Sequence, residues 1–200
     1  MATPGVYFAI YYQVDDNAFK RAAETWQFEV TGGVCDPDVL FISEEVKSEA
    51  DFKRAWLSVY NKVNEAGMPV ILGQLFTHAS KGSANDGLEF KPGDGEDGTL
   101  TSGEIGALPK LNWDTDGELI LSGCNSGLAG ARGWSPAQIF ATNQKVKTTG
   151  LAGYGYFSTS KHTYSEISAG DQTIYLWAYR RGRNGTFGGG GRMAGIEFRP

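Results

Sequence analysis

His78 and Cys124 are the two side chains whose types and positions are typical of nucleophilic catalysis. Each lies at the end of an apolar run that predicts a buried strand, 70–77 (VILGQLFT) and 118–122 (ELILS). If these strands are parallel neighbours, a spacing of about 5 Å brings both side chains into one crevice at the carboxyl edge of the sheet. A thiol needs a base, and an imidazole titrates near neutral pH. The spacing therefore predicts a Cys–His dyad.

Small residues around the thiol supply the backbone geometry that such a dyad requires. Gly123, Gly127 and Gly130 allow a tight turn that exposes the sulfur and aims backbone N–H groups at a developing oxyanion. We expect the two oxyanion donors to be the N–H groups of Ala79 and Cys124.

The elements that must position these residues alternate along the chain. Predicted strands cover 6–14, 38–43, 70–77, 118–122, 151–157, 173–179 and 193–198, and predicted helices cover 17–28, 48–66, 101–108 and 136–145. A small hairpin is predicted between 88–90 and 98–100. This order predicts one α/β domain over 1–200, with a mostly parallel central sheet of about six strands and helices on both faces.

Net charge and hydropathy argue against two classes of binding partner, nucleic acids and membranes. The net charge is −5, and the short cluster of Arg180, Arg181 and Arg183 is typical of a solvated strand end, which argues against nucleic-acid binding. No apolar run is long enough to span a membrane, so no membrane partner is predicted. The N-terminal residues lack a charged leader and a cleavage site. We therefore expect a cytoplasmic protein, or one exported without a standard signal peptide.

The chain contains two cysteines, Cys35 and Cys124, which are too few for a disulfide framework. We interpret Cys35 as a buried structural thiol and Cys124 as the functional one. No Cys/His cluster of the zinc type occurs, and the acidic loop 94–97 lacks the full pattern of a calcium site. No metal or organic cofactor is predicted, because a Cys–His dyad does not require one.

The region around the dyad resembles the caspase-like clan of cysteine peptidases, in particular its bacterial CHAT branch. In that branch a strand ending in His, a small hairpin and a T-x-x-E-I helix precede a strand ending in S-x-C-N-[ST]-G. The matching positions are His78, Asp86, Gly87, Thr101, Glu104, Ile105 and 121–127, and the motif-level match covers 70–158. The resemblance implies a three-layer caspase–haemoglobinase-like fold, with Cys124 as nucleophile and His78 as general acid/base.

The chain departs from the family pattern in two places. Ala79 stands where the family usually has Gly after the His, and the segment that follows Cys124 is less typical. An alanine still carries the N–H that an oxyanion site needs, but its backbone is less free.

The resemblance also places a substrate pocket. Ser122, two residues before the thiol, would line it, as would Asp15 and Asp16 at the end of the first strand. The two carboxylates favour a basic side chain before the scissile bond, although capping of the following helix explains them equally well.

The leading hypothesis is therefore a cysteine endopeptidase that acts on a protein or peptide substrate through an acyl-enzyme. Two alternatives remain open: a catalytically inactive caspase-like module that binds a partner protein, and another Cys–His acyl transferase or amidase. A bacterial effector, with a partner protein that delivers or regulates it, is compatible with each of these hypotheses.

Overall fold

The computed structural model describes residues 3–13, 17–33, 36–80, 87–93, 95–161, 165, 167–168, 173–179 and 195–200. The helices are α1 (Ala18–Thr31), α2 (Glu49–Ala66), α3 (Ser102–Ala107) and α4 (Pro136–Gln144). The strands are β1 (Gly5–Tyr12), β2 (Val39–Val46), β3 (Val70–Phe76), β4 (His78–Ser80), β5 (Gly87–Glu89), β6 (Thr99–Leu100), β7 (Trp113–Leu121), β8 (Lys147–Leu151), β9 (Tyr154–Ser158), β10 (Tyr175–Tyr179) and β11 (Gly195–Phe198).

A six-stranded sheet organises the chain, in the order β11-β8-β7-β3-β1-β2. All its neighbouring strands run parallel except β11, which pairs antiparallel with β8 at one edge. The carboxyl ends of β1, β2, β3, β7 and β8 therefore meet along one edge of the sheet.

Helices pack on both faces of this sheet. Tyr7 pairs with Phe41, and the ring of Phe41 contacts Trp26 of α1 at 5.6 Å between ring centroids. The next residue along β1, Phe8, points to the opposite face and meets Trp56 of α2 at 5.8 Å. Trp56 in turn contacts Phe140, so α2 and α4 share that face. The prediction of a three-layer α/β fold with a mostly parallel sheet of six strands is confirmed.

Two strands predicted in the C-terminal part of the chain differ from those in the structure. The segment 151–157, expected to be one strand, is divided between β8, which starts earlier at Lys147, and β9, which starts at Tyr154. The predicted strand at 173–179 begins at Tyr175 and pairs with β9 in a separate two-stranded ribbon. Apolar alternation identifies a strand but not its partner, so the pattern alone did not separate the two sheets.

The predicted small hairpin is confirmed, and it pairs with β4, the strand that begins at His78. Leu88 pairs with Leu100, while Ala79 of β4 pairs with Leu88 on its other side, which gives a three-stranded antiparallel sheet. Leu88 and Leu100 are fully buried and anchor this sheet to the core. His78 is the first residue of β4, so its backbone is held by both the central sheet and the hairpin.

Local signals bound α2 and α3 close to the predicted positions, whereas α1 runs to Thr31, beyond its predicted end at Phe28. Ser48 caps α2 by accepting a hydrogen bond from the Asp51 N–H at 3.1 Å, and Gly67 closes the helix in the left-handed region. Thr101 and Glu104 form the corresponding capping box of α3. Among the described residues, no helix combines the length and apolar character needed to cross a bilayer.

A pair of carboxyl groups, one buried and one half-buried, joins α2 to α3. Glu49 is only 3% exposed and lies beside Glu104, and the Lys53 ammonium contacts both carboxyl groups. Burial and the hydrogen bond with Glu104 raise the pKa of Glu49 to about 7, against the opposing effect of Lys53. Burial also opposes ionisation of Glu104, but hydrogen bonds from Glu49, Lys53 and Thr101 lower its pKa to about 2. Glu49 is thus the member that holds the shared proton.

Because the pKa of Glu49 is raised on folding, its contribution to stability is present at acidic pH and is lost as the pH rises through about 7. We expect the free energy of unfolding to fall by about 1 kcal/mol between about pH 6 and pH 8. Glu49→Gln keeps a neutral donor and should lose this dependence. Urea denaturation at several pH values measures the effect, with the exposed Glu65→Gln as the matched control; equal slopes for wild type and Glu49→Gln would contradict the assignment.

Candidate functional site

The site is positioned by the pairing of β3 with β7. Leu75 lies opposite Leu121 in this parallel pair, and Ser122 N–H donates to the Leu75 carbonyl at 2.8 Å. His78 and Cys124 each follow three residues after this pair, so their backbones leave the sheet at the same level. The expected neighbouring strands are therefore present, and the two residues follow them at equivalent positions.

Aromatic rings surround one side of the His78 imidazole. Tyr12 at the end of β1 meets it edge-on at 5.4 Å between ring centroids, and Phe19 of α1 meets it at 5.0 Å. His78 itself is exposed. Its imidazole is thus confined by two rings while remaining accessible at the carboxyl edge of the sheet.

The Cys124 thiol is half-buried against β9. The Gly155 N–H donates to Cys124 Sγ at 3.3 Å, and the Gly155 carbonyl lies 4.0 Å from the sulfur. Burial raises the pKa of the thiol above its ordinary value; the N–H groups of Gly155 and Cys124 lower it, and the charge of Glu89 raises it further. In the free protein the sulfur is therefore held as a thiol that needs a base.

The turn after the thiol is fixed by close backbone approaches. Asn125 adopts φ 55° and donates its N–H to the Gly153 carbonyl at 2.7 Å. The fully buried Ser126 hydroxyl donates to the Leu121 carbonyl at 2.9 Å and accepts from the Leu151 N–H at 3.0 Å. Both polar residues that follow Cys124 therefore have a structural role. Asn125 is a residue type that tolerates the left-handed backbone region, and the Ser126 hydroxyl links β7 to β8 by hydrogen bonds.

Gly127 is required by the same turn. A Cβ added there would lie 2.6 Å from the Gly150 carbonyl oxygen of β8, well inside van der Waals contact. Its N–H donates to the Leu151 carbonyl at 2.9 Å. A residue with a side chain would push the turn, and with it Cys124, away from the sheet.

The backbones that carry the two expected oxyanion donors approach each other at Ala79 and Gly123. The Ala79 nitrogen lies 3.3 Å from the position that a Cβ on Gly123 would occupy, and Gly123 immediately precedes Cys124. Ala79 is a strand residue outside the positive-φ region, so the glycine usual in the family is not needed for its backbone conformation. The departure at Ala79 therefore leaves its N–H in place.

Ser122 lines a cavity of about 350 Å³ between the sheet, α1 and the β9–β10 ribbon. Its hydroxyl accepts a 2.7 Å hydrogen bond from the buried Gln74 amide. Trp26, Phe76 and Ile174 supply apolar wall, and an ion pair between Lys161 and Glu29 also borders the cavity. Of the predicted pocket residues, Ser122 is thus at a cavity, while Asp15 and Asp16 lie outside the described residues, as does Cys35.

Sequence patterns missed three residues of this site. Gly155 contacts the thiol from β9, Gln74 lies beside Ser122, and Glu89 lies opposite His78 across the β4–β5 pair. None of them belongs to a motif, because each is brought in by strand pairing. Within the part of the chain that the structure describes, no group of three or more His, Cys, Asp or Glu side chains could hold a metal ion.

Comparison with known proteins does not place the chain in a family: no protein-family model matches it, and no curated protein matches it.

The raised pKa of Cys124 predicts slow alkylation at neutral pH. In a Cys35→Ser protein, iodoacetamide should react with folded Cys124 more slowly than with the same thiol after unfolding in urea, and the rate should rise toward alkaline pH. Mass spectrometry of the alkylated protein gives the rate at each pH. A folded thiol that reacts at a lower pH than the unfolded one would contradict the environment described here.

Gly127→Ala should destabilise the protein by about 1–3 kcal/mol, because the added methyl overlaps the Gly150 carbonyl. The matched control is Gly103→Ala in α3, where a Cβ meets no atom of a neighbouring element within 4 Å. That control should leave stability unchanged or raise it by up to about 1 kcal/mol. Urea midpoints compare the two variants, and equal midpoints would rule out the close approach as a constraint.

Proposed function

We propose that the protein is a caspase-like cysteine endopeptidase with Cys124 as nucleophile and His78 as general acid/base. The observation that carries this proposal is the register of β3 and β7, which brings both residues to one level of the sheet edge. The close approach of Ala79 to Gly123, the residue before Cys124, supports an oxyanion site formed by the Ala79 and Cys124 N–H groups, and the cavity at Ser122 supports a place for a substrate side chain.

Acylation begins when the scissile carbonyl is held against the Ala79 and Cys124 N–H groups. Cys124 Sγ attacks the carbonyl carbon and its proton passes to His78, so an S–C bond forms while the carbonyl electrons move to oxygen. The C–N bond then breaks, and the imidazolium returns the proton to the leaving amine. The raised pKa of the thiol makes this proton transfer part of the attack.

In deacylation His78 acts as the base for a water molecule, and Cys124 is the leaving group. A water molecule attacks the thioester carbon and gives a proton to His78; a C–O bond forms, and the S–C bond breaks. The proton passes to the sulfur and restores the thiol. Since every step uses only the dyad, backbone N–H groups and water, the proposed reaction needs no cofactor.

The cavity at Ser122 is the proposed pocket for the substrate side chain before the scissile bond. Ser122 lies two residues before Cys124, where β7 leads into the turn that carries the thiol, so the cavity lies close to Cys124 along the chain. Asp15 and Asp16 remain part of this proposal as the residues that favour a basic side chain.

A catalytically inactive caspase-like module that binds a partner protein is the second candidate. The observation in its favour is the half-buried thiol, whose pKa is raised by its surroundings. An acyl transferase or amidase with the same dyad would share the geometry and differ in the acceptor or in the bond that is cleaved.

A proteome digest followed by mass spectrometry of new peptide termini tests the proposal. Wild type should produce cleavages that Cys124→Ala does not, and His78→Gln should reduce their rate by at least about 100-fold, since general acid–base catalysis contributes that much. The residues found before each cut test the Asp15 and Asp16 pocket.

The chain offers matched controls, because it contains two cysteines and two histidines. Cys35→Ser and His162→Gln should keep the wild-type cleavages. If folded wild type cuts nothing and a peptide aldehyde does not protect Cys124 from iodoacetamide, the inactive module replaces the peptidase. Protection by the aldehyde without any cleavage would instead favour the acyl transferase or amidase.

A further inference from the structure

We propose that Glu89 is a positioning residue that orients the His78 imidazole and stabilises its protonated form. The catalytic meaning of this role rests on the proposed function, but the strand pairing itself does not. The juxtaposition comes from β4 and β5, which form an antiparallel pair in which His78 lies directly opposite Glu89.

Side-chain alternation places the two residues on the same face of the hairpin. Directly opposed residues of an antiparallel pair point to the same side, with Cβ atoms about 4.5–5.5 Å apart. Leu88 and Phe90, on either side of Glu89, are buried in the core, so Glu89 faces away from it. Ala79, the residue after His78, is likewise buried opposite Leu88. His78 and Glu89 therefore share the face that borders the site.

The position of Glu89 is held from several sides. Leu88 pairs with the fully buried Leu100 of β6, and Glu89 pairs with the buried Thr99. The Thr99 N–H donates to the Asp97 carboxylate at 2.8 Å, and the Phe90 N–H donates to the Gly98 carbonyl at 2.7 Å. The half-buried Glu89 carboxylate thus lies on a short strand that is paired on both sides, rather than on a loop.

Glu89 is also close enough to the thiol for its charge to act there, since it raises the pKa of Cys124. Among the described residues, the rings of Tyr12 from β1 and Phe19 from α1 contact His78, and Glu89 of β5 is its cross-strand partner. Cys124 follows β7 at the level where His78 follows β3. A carboxylate beside an imidazole favours the imidazolium, the form created when the thiol gives up its proton. Glu89 thereby disfavours a resting thiolate while favouring the protonated imidazole.

Titration of the two histidines by NMR tests this role without any substrate. His162→Gln assigns the His78 signals. Because a negative charge raises the pKa of a nearby imidazole, Glu89→Gln should lower the pKa of His78 by about one unit. Glu89→Asp keeps the charge and should restore most of the wild-type value. The exposed Glu65→Gln, which removes the same charge elsewhere, should leave the pKa of His78 unchanged.

A second measurement follows the thiol. In the Cys35→Ser background, Glu89→Gln should also move the pH profile of Cys124 alkylation to lower pH, which a merely structural role would not do. The proposal is overturned if the pKa of His78 is the same in wild type, Glu89→Gln and Glu65→Gln. It is equally overturned if Glu89→Asp titrates like Glu89→Gln. Neither result depends on peptidase activity, so failure of this inference is distinguishable from failure of the proposed function.

Discussion

The parallel pairing of β3 with β7 is the constraint on which the site depends. Both strands lie inside the sheet, with β1 beyond β3 and β8 beyond β7, so their register is set by hydrogen bonds on both sides. A slip of one residue would turn each side chain of the moved strand to the opposite face. His78 and Cys124 would then no longer follow the strand pair at the same level, even though every strand remained present.

Cys124 is held mainly by backbone contacts rather than by side chains. The turn from Gly123 to Gly127 is docked against the β8–β9 connection through main-chain hydrogen bonds and through the Ser126 hydroxyl. Gly127 approaches Gly150 so closely that no side chain fits at that position. Such a support keeps the sulfur in place without a charged partner, and it also buries the sulfur enough to raise the pKa of the thiol.

Two separate groups of charged side chains lie near the β5–β6 hairpin. Glu89 lies on the exposed face of β5 next to His78, while Glu49, Lys53 and Glu104 join α2 to α3 behind the hairpin. Glu89 can influence the protonation of His78, and the group of Glu49, Lys53 and Glu104 influences the stability of the helix that follows β6. Because Glu104 also caps α3, the T-x-x-E-I segment has a structural explanation that does not involve the site directly.

The sequence by itself predicted most of the elements and supplied the hypothesis for the two central residues of the candidate site. Apolar periodicity and caps such as Ser48 and Gly67 are local signals, so α2 and the strands before His78 and Cys124 were predictable. The tertiary structure decided which strands pair, because apolar alternation along a strand does not specify the neighbouring strand. In the folded chain 151–157 is divided between β8 and β9, and β10 lies outside the central sheet. Glu89, Gln74 and Gly155 reach the site only through that pairing, which is why no local pattern revealed them.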